Sequence, residues 1–326
     1  MSIIVRQYSP NDADAWDDFC CGALQATLLH TRRFLSYHGD HFRDASLILI
    51  EGDRWLGVLP AAYHSEDASL IVSHPGITYG GIIHQGGLRG QSMLDAMQLV
   101  VQHYANIGAK RFLYKAIPII YHRIPSQDDL YALFRLDAQR IRCDLTSSID
   151  IQSRYSLPER RRRSMKKAKA SGMEIKIGKE SITGIWRVLR ENLARKHGVT
   201  PVHTEEEMLL LHERFPENIF FVAGVLEGEV QAGVVLFVSP NVLHAQYITS
   251  SEVGYKINAL DLIFQYCISL AEEKKARYFD FGISNEENGQ ILNEGLYRFK
   301  SEFGGGGIVH EFFEIKLENR ISERIK

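Results

Sequence analysis

The sequence predicts an α/β protein with mixed α+β sheets, built as two consecutive copies of one unit. Three observations carry that expectation. A hairpin, a helix and a strand follow one another in the same order twice. Both hairpin turns carry a Glu-Gly pair, Glu51-Gly52 and Glu227-Gly228. A chain of 326 residues also exceeds one small core and suits two domains. The spacing places the units at residues 1–155 and 156–326.

Each element has a local reason. A strand over 3–7 is followed by Ser9 and Pro10, a cap and a proline suited to a helix start. Strands over 45–50 and 55–63 flank Glu51, Gly52, Asp53 and Arg54, the turn chemistry of a hairpin. A helix over 92–107 stops at Gly108, and a strand over 111–116 follows. The second copy has strands over 219–226 and 232–238 around Glu227, Gly228 and Glu229, then a strand over 242–249. A helix over 258–275 and a strand over 277–282 complete it. Segment 95–116 aligns with 261–282, and the drift relative to the hairpins is what unequal loops produce.

The bulk composition narrows the function classes. Hydrophobic residues make up 45% and charged residues 24%, as in folded soluble proteins. A net charge of -2 gives no global basic field, so nucleic acid is not a favoured partner. Cys20, Cys21, Cys143 and Cys267 have no metal-ligand spacing and suit reduced thiols. No apolar run suits a signal peptide or a membrane span. The expectation is a cytoplasmic chain without metal or membrane, as a monomer or weak dimer.

Between the copies, Pro158 and Gly172 frame a basic helix in which Glu159 is the one acid. It is either a solvated helical face or a phosphate-binding one. Walker A, Rossmann, His-Glu-x-x-His and Gly-x-Ser-x-Gly patterns are absent. Among the thirteen histidines, which show no ligand spacing, His122, His197, His203 and His244 stand as candidates.

The informative stretch is 243–261. A strand runs into a small-residue loop, 250–254, which opens a helix near Asn258. Unpaired N–H groups and the dipole at such a helix start suit a pyrophosphate. Ile248, Thr249, Ser250, Gly254, Lys256, Asn258 and Ala259 are the candidate donor-binding residues.

The order strand, phosphate-like loop, helix, strand is that of the GNAT acyltransferase fold. The sequence resembles a tandem GNAT protein of the FemAB-like type. The likeness is carried by LPERRRRSMKKA from Leu157, HAQY from His244, FDFG from Phe279 and GLYRFKSEFGGG from Gly295. In the first half it is carried by HPGITYGG from His74 and IPIIYHRIPSQDDLY from Ile117. The second of these is similar to acyltransferases of bacterial surface-polysaccharide (O-antigen or capsule) gene clusters. The resemblance implies two tandem GNAT-type domains. It also implies acyl-CoA, acetyl-CoA or a short hydroxyacyl-CoA, as co-substrate. The implied acceptor is a nucleotide-linked amino deoxy sugar, such as a dTDP-amino-dideoxyhexose. Family members that are aminoacyl-tRNA-dependent peptidyltransferases often carry a helical hairpin arm. No heptad-patterned arm stands out here, which favours acyl-CoA. The peptidyltransferase and a non-catalytic GNAT scaffold are the alternatives.

Amide formation from a thioester needs a neutral amine, a polarised carbonyl and a protonated leaving thiolate. Strand alternation places His244, Gln246 and Ile248 on one face, and Ala245, Tyr247 and Thr249 on the other. An imidazole, with an ordinary pKa of about 6.5, suits the proton-accepting role at His244. Tyr247 suits protonation of the thiolate, and Asp280 among aromatics is a second base candidate. On the resemblance, Glu286, Asn293 and Lys300 suit a polar sugar or phosphate. Tyr79, Gly80, Gly81, Tyr121 and Tyr131 suggest an aromatic, glycine-rich nucleotide surface in the first copy. His122 and Gln246 complete the substrate-binding candidates. The acceptor is expected in the cleft between the copies, and the first copy is expected to have lost donor binding.

Overall fold

The computed structural model describes residues 2–317; the side chains of 196 and 197, and with them the His197 candidate, lie outside the described residues. The chain forms two compact units. The first holds the residues up to Asp144, Glu286–Ile291 and the chain from Val309 on; the second holds Leu145–Asn285 and Leu292–Ile308.

In the first unit, the elements are β1 (Ile4–Gln7), α1 (Ala13–Gly22), α2 (Arg32–Leu35), β2 (Leu47–Glu51), β3 (Arg54–Leu59), β4 (Ala62–Tyr63) and β5 (Leu70–Val72). β6 (Ile83–His84), α3 (Gln91–Asn106), β7 (Arg111–Lys115) and α4 (Asp128–Arg135) follow, and β8 (Gln139–Asp150) runs on into the second unit. The second unit continues with α5 (Glu159–Ala170), β9 (Glu174–Ile177), α6 (Ile182–His197), α7 (Glu205–Arg214), β10 (Ile219–Leu226) and β11 (Glu229–Val238). Then come β12 (Val242–Ser250), α8 (Glu252–Ile257), α9 (Ala259–Glu273) and β13 (Tyr278–Ile283). A two-residue ladder of β14 (Asn285–Glu286) and β15 (Ile291–Leu292) precedes α10 (Glu294–Ser301) and β16 (Gly306–Lys316).

The first unit carries the sheet β1-β2-β3-β6 and the strand order β4-β5-β7-β16-β8; the second carries β8-β13-β12-β11-β10-β9. The repeated plan is visible in the pairing. β2 and β3 pair through Glu51↔Arg54, and β10 and β11 through Leu226↔Glu229. Glu227 and Gly228 both have positive φ, as a tight two-residue hairpin turn requires. A parallel pair occurs in each unit, β5 with β7 and β12 with β13.

The core of the second unit is organised by α9. Leu260, Ile263, Phe264, Cys267, Ile268 and Ala271 form its buried stripe, at the three- and four-residue spacing of an amphipathic helix. Phe264 lies edge-on to Phe279, Phe281 and Phe303, with ring centroids 4.9–6.2 Å apart. The predicted helix over 258–275 is α9, and a separate short helix, α8, precedes it. Asn258 adopts a left-handed conformation (φ 61°) and breaks the run between α8 and α9.

In the first unit the parallel pairing of β5 and β7 ends at Val72↔Leu113, and the chain itself fills the space beyond. Ser73 N–H donates to Leu113 O at 2.9 Å, Lys115 N–H to Ser73 Oγ at 2.7 Å, and Gly80 N–H to Lys115 O at 3.0 Å. A Cβ at Gly80 would fall 1.9 Å from Ser73 O, so only glycine lets this segment close on itself. The buried Lys115 Nζ donates to His74 O and Ile77 O. Burial pulls its pKa down from 10.5 to about 7. Above that value the folded chain carries one proton fewer than the unfolded chain, so stability rises with pH until the unfolded lysine titrates. Lys300, at about 8, adds to the same rise. Denaturant unfolding at pH values from 7 to 10 should show this increase, and Lys115→Met should flatten it to the share of Lys300.

Candidate active site

The site is set by the point at which two parallel strands part. β12 pairs with β13 through Val242↔Tyr278, Leu243↔Phe279 and His244↔Asp280, and the pairing ends there. On the far side of β13 the register with β8 is broken between Asp280 and Ile283, where Gly282 has φ 73°. A Cβ at Gly282 would lie 3.4 Å from His244 Cε1. Glycine therefore serves both the turn of the strand and the seat of the imidazole.

At the parting lies a His–Asp pair. Asp280 is fully buried, and the His244 side chain is 15% exposed. Asp280 Oδ1 accepts from Thr146 Oγ1 and Ser148 Oγ. Its Oδ2 accepts from Gly282 N–H at 3.2 Å and faces His244 Nδ1 at 2.7 Å. An ionised carboxylate only accepts hydrogen bonds, so Nδ1 carries the hydrogen and Nε2 the lone pair. That is the tautomer of a general base. The two hydroxyls of β8 that hold Asp280 were missed by sequence reading. Their sign was present as Thr146 and Ser148, alternating in one strand.

Tyr247 corrects the reading of the strand faces. Val235 pairs with Tyr247 but Leu236 pairs with Ala245, leaving Gln246 as the extra residue of a β-bulge. The bulge reverses the alternation, so Tyr247 shares a face with His244 and not with Ala245. Ala245 and Ile248 go to the side of α9. On the other side, Tyr247 meets the Trp186 ring edge-on at 5.4 Å. Its hydroxyl lies 3.2 Å from His203 N–H and 2.5 Å from His203 Nδ1. Burial pushes the Tyr247 pKa up to about 12, while the His203 N–H acts in the opposite direction.

The expected phosphate loop is more regular than predicted. Ile248, Thr249 and Ser250 are strand residues, and Thr249 and Ser250 are buried. Ser251 caps α8, its Oγ accepting Gly254 N–H at 3.0 Å and donating to Gln231 Oε1 at 2.6 Å. A Cβ at Gly254 would fall 2.4 Å from Gln231 O, so this glycine serves close helix–strand packing. Lys256 is exposed on α8, Asn258 forms the break, and Ala259 is buried as the first residue of α9. Thr249 Oγ1, on the stretch of β12 past the parting, is buried without a hydrogen-bond partner.

Other candidates take structural places. Lys300 is buried and donates to Gly282 O at 3.0 Å and Ile283 O at 2.6 Å, bracing the turned end of β13. Asn293 is exposed and caps α10 through Leu296 N–H. Glu286 is exposed and falls in the first unit. The aromatic surface expected there is interior. Tyr79 and Tyr121 are 4% and 3% exposed with ring centroids 4.5 Å apart, and Gly80 is held in the filled gap. The buried His122 sits with Nε2 near Ile117 O and Nδ1 near Ser126 Oγ. Tyr131 alone of the expected tyrosines is exposed, at 51%.

In α5 the run of cations divides. Arg161 is buried and pairs with Asp261 and Glu302. Arg162, Arg163, Lys166, Lys167 and Lys169 face outward, and the helix packs on α8 and α9. Among the described residues no group of three or more His, Cys, Asp or Glu is placed to hold a metal ion, and no helix is long and apolar enough to cross a membrane.

Mixed sheets with two parallel strands parting around an α-helix constitute a GNAT-like fold. Residues 157–301 match the acetyltransferase (GNAT) domain family. Over almost their whole lengths, several solved structures are similar. A crystal structure of FemX gives a TM-score of 0.67 at 12% identity, covering 96% of this chain and 97% of that one. The L-PGS of Bacillus licheniformis gives 0.62 at 12%, covering 97% and 93%. A tandem GNAT protein from the clavulanic acid biosynthesis pathway gives 0.58 at 7%, covering 97% and 99%. At these identities the likeness is one of fold. No curated protein sequence matches the chain.

Proposed function

We propose that the second unit is a cytoplasmic N-acyltransferase. It moves an acyl group from acyl-CoA to the amino group of a nucleotide-linked amino deoxy sugar, in surface-polysaccharide biosynthesis. The observation that carries this reading is the parting of β12 and β13 at a His–Asp pair. A parted strand presents backbone groups that an extended pantetheine arm can pair with, as a further strand would. The start of α8, beyond Ser250, then lies toward the donor's phosphates. Thr249 Oγ1 is a buried group that a donor can satisfy.

In this mechanism His244 Nε2 takes a proton from the attacking amine, and Asp280 stabilises the imidazolium that forms. Backbone N–H groups beside the Gln246 bulge polarise the thioester carbonyl. Tyr247, on the same face, protonates the thiolate. The sugar acceptor rests on the resemblance of the sequence segments.

One observation favours a second reading. The outward cations on α5, packed against α8, suit a donor with a long phosphate backbone, which is the aminoacyl-tRNA-dependent alternative. Thermal unfolding in the presence of CoA, acetyl-CoA, dTDP, UDP and tRNA separates the two. At a hundredfold excess over Kd, CoA and a nucleoside diphosphate should each raise Tm by roughly 5 °C. Stabilisation by tRNA alone would overturn the acyl-CoA reading.

A further inference from the structure

His203 lies outside every element that forms the parted strands, yet it makes two contacts to one catalytic candidate. It sits between α6 and α7 and is buried. Its backbone N–H donates to Tyr247 Oη at 3.2 Å, and its Nδ1 is 2.5 Å from the same atom. Trp186 Nε1 donates to His203 O at 3.2 Å and its ring packs on Tyr247. Trp186 thus fixes both partners. A phenolic oxygen has two lone pairs. In the tautomer that carries its hydrogen on Nδ1, the backbone N–H and the Nδ1–H both point at it, and the hydroxyl hydrogen points away from His203.

We infer that His203 is the positioning residue for proton delivery: it holds Tyr247 Oη so that the hydroxyl proton goes to the departing thiolate, and it stabilises the phenolate left behind. This rests on the acyl-thioester reading above. As the C–S bond breaks, its electron pair stays on sulfur, which takes the Tyr247 proton to give the thiol. The phenolate keeps two N–H donors until it regains a proton from solvent, to which His244 returns the proton taken from the amine. The opposing effect of the His203 N–H on the raised Tyr247 pKa has the required direction.

The test varies the leaving group. Turnover is measured with acetyl-CoA and with nitrothiophenyl acetate, using a dTDP-linked amino dideoxyhexose as acceptor. Nitrothiophenolate is a weak enough base to leave without a proton. With acetyl-CoA, Tyr247→Phe and His203→Ala should each lower kcat by about 10²-fold. His203→Asn, which returns a side-chain N–H near the Nδ1 position, should recover most of the loss. With nitrothiophenyl acetate both variants should run close to the wild-type rate, whereas His244→Asn should lose rate with both donors. Equal losses on the two donors, or none with acetyl-CoA, would overturn the role of His203. A wild-type chain that turns over neither thioester overturns the acyl-thioester reading itself. Thermal unfolding of each variant separates a misfolded chain from an inactive one.

Discussion

Asp280→Asn should lower kcat by roughly 10²- to 10⁴-fold and leave CoA-induced stabilisation nearly intact. The substitution is unusually clean here. Thr146 and Ser148 hold one side of the carboxylate through hydroxyls, and hydroxyls can turn to accept from the new amide. The amide oxygen can still accept the His244 Nδ1–H and the Gly282 N–H. What disappears is the negative charge that stabilises the imidazolium. Should the amide turn the other way, Nδ1 becomes the acceptor and Nε2 loses its lone pair. Either outcome disables the base while the packing survives. Asp280→Ala, in contrast, strands four donors in the core, at about 1–3 kcal/mol for each one left unsatisfied. Steady-state kinetics beside thermal unfolding of both variants checks this. Full activity in Asp280→Asn would remove the His–Asp pair from the mechanism.

Arg161→Met should lower stability by about 3–5 kcal/mol. The Arg161 and Asp261 side chains are 6% and 5% exposed, 2.7 Å apart. The guanidinium also reaches Phe299 O at 3.2 Å and Glu302 at 3.0 Å. It lies 4.6 and 4.5 Å from the Phe299 and Phe303 ring centroids. Burial already holds the Asp261 carboxyl above its ordinary pKa, with Arg161 the main opposing influence. Removing the cation leaves a buried acid without its ion-pair partner. Arg161→Met with Asp261→Leu should recover much of the loss, because replacing a whole buried pair by apolar residues is often neutral. Urea midpoints for the single and double variants test this. Equal destabilisation in both would show that ring packing, not charge, holds α5.

The sequence revealed as much of this as local chemistry could express. Glu51-Gly52 and Glu227-Gly228 marked both hairpins, because turn residues act on their own neighbours. The unit from β12 to β13 was visible because β-branched runs flank one long apolar helix. His244 and Asp280 were both singled out, but their pairing depends on the parallel register, and no spacing encodes that. The bulge at Gln246 was hidden, since the segment alternates smoothly and holds neither Gly nor Pro. Small residues at Ser250, Ser251 and Gly254 suggested a loop, whereas they cap a helix and permit close packing. Tyr79 and Tyr121 suggested a ligand surface because glycines surround them, and those glycines instead let the chain fold inward. His203 stood among the candidate histidines without a partner in view, because its contact with Tyr247 depends on where α6 and α7 leave it.

The return of β16 to the first unit has a consequence for biosynthesis. β16 pairs with β7, and Ile315 and Leu317 complete the first unit's core. These residues leave the ribosome long after β7, with nearly all of the second unit made in between. Until they emerge, β7 presents an unsatisfied edge, the kind of surface that recruits stray strands. The first unit is therefore begun first and closed only after the second unit has been made. Its maturation waits on translation of the second unit, and the emergence of β16 becomes the event that closes the sheet.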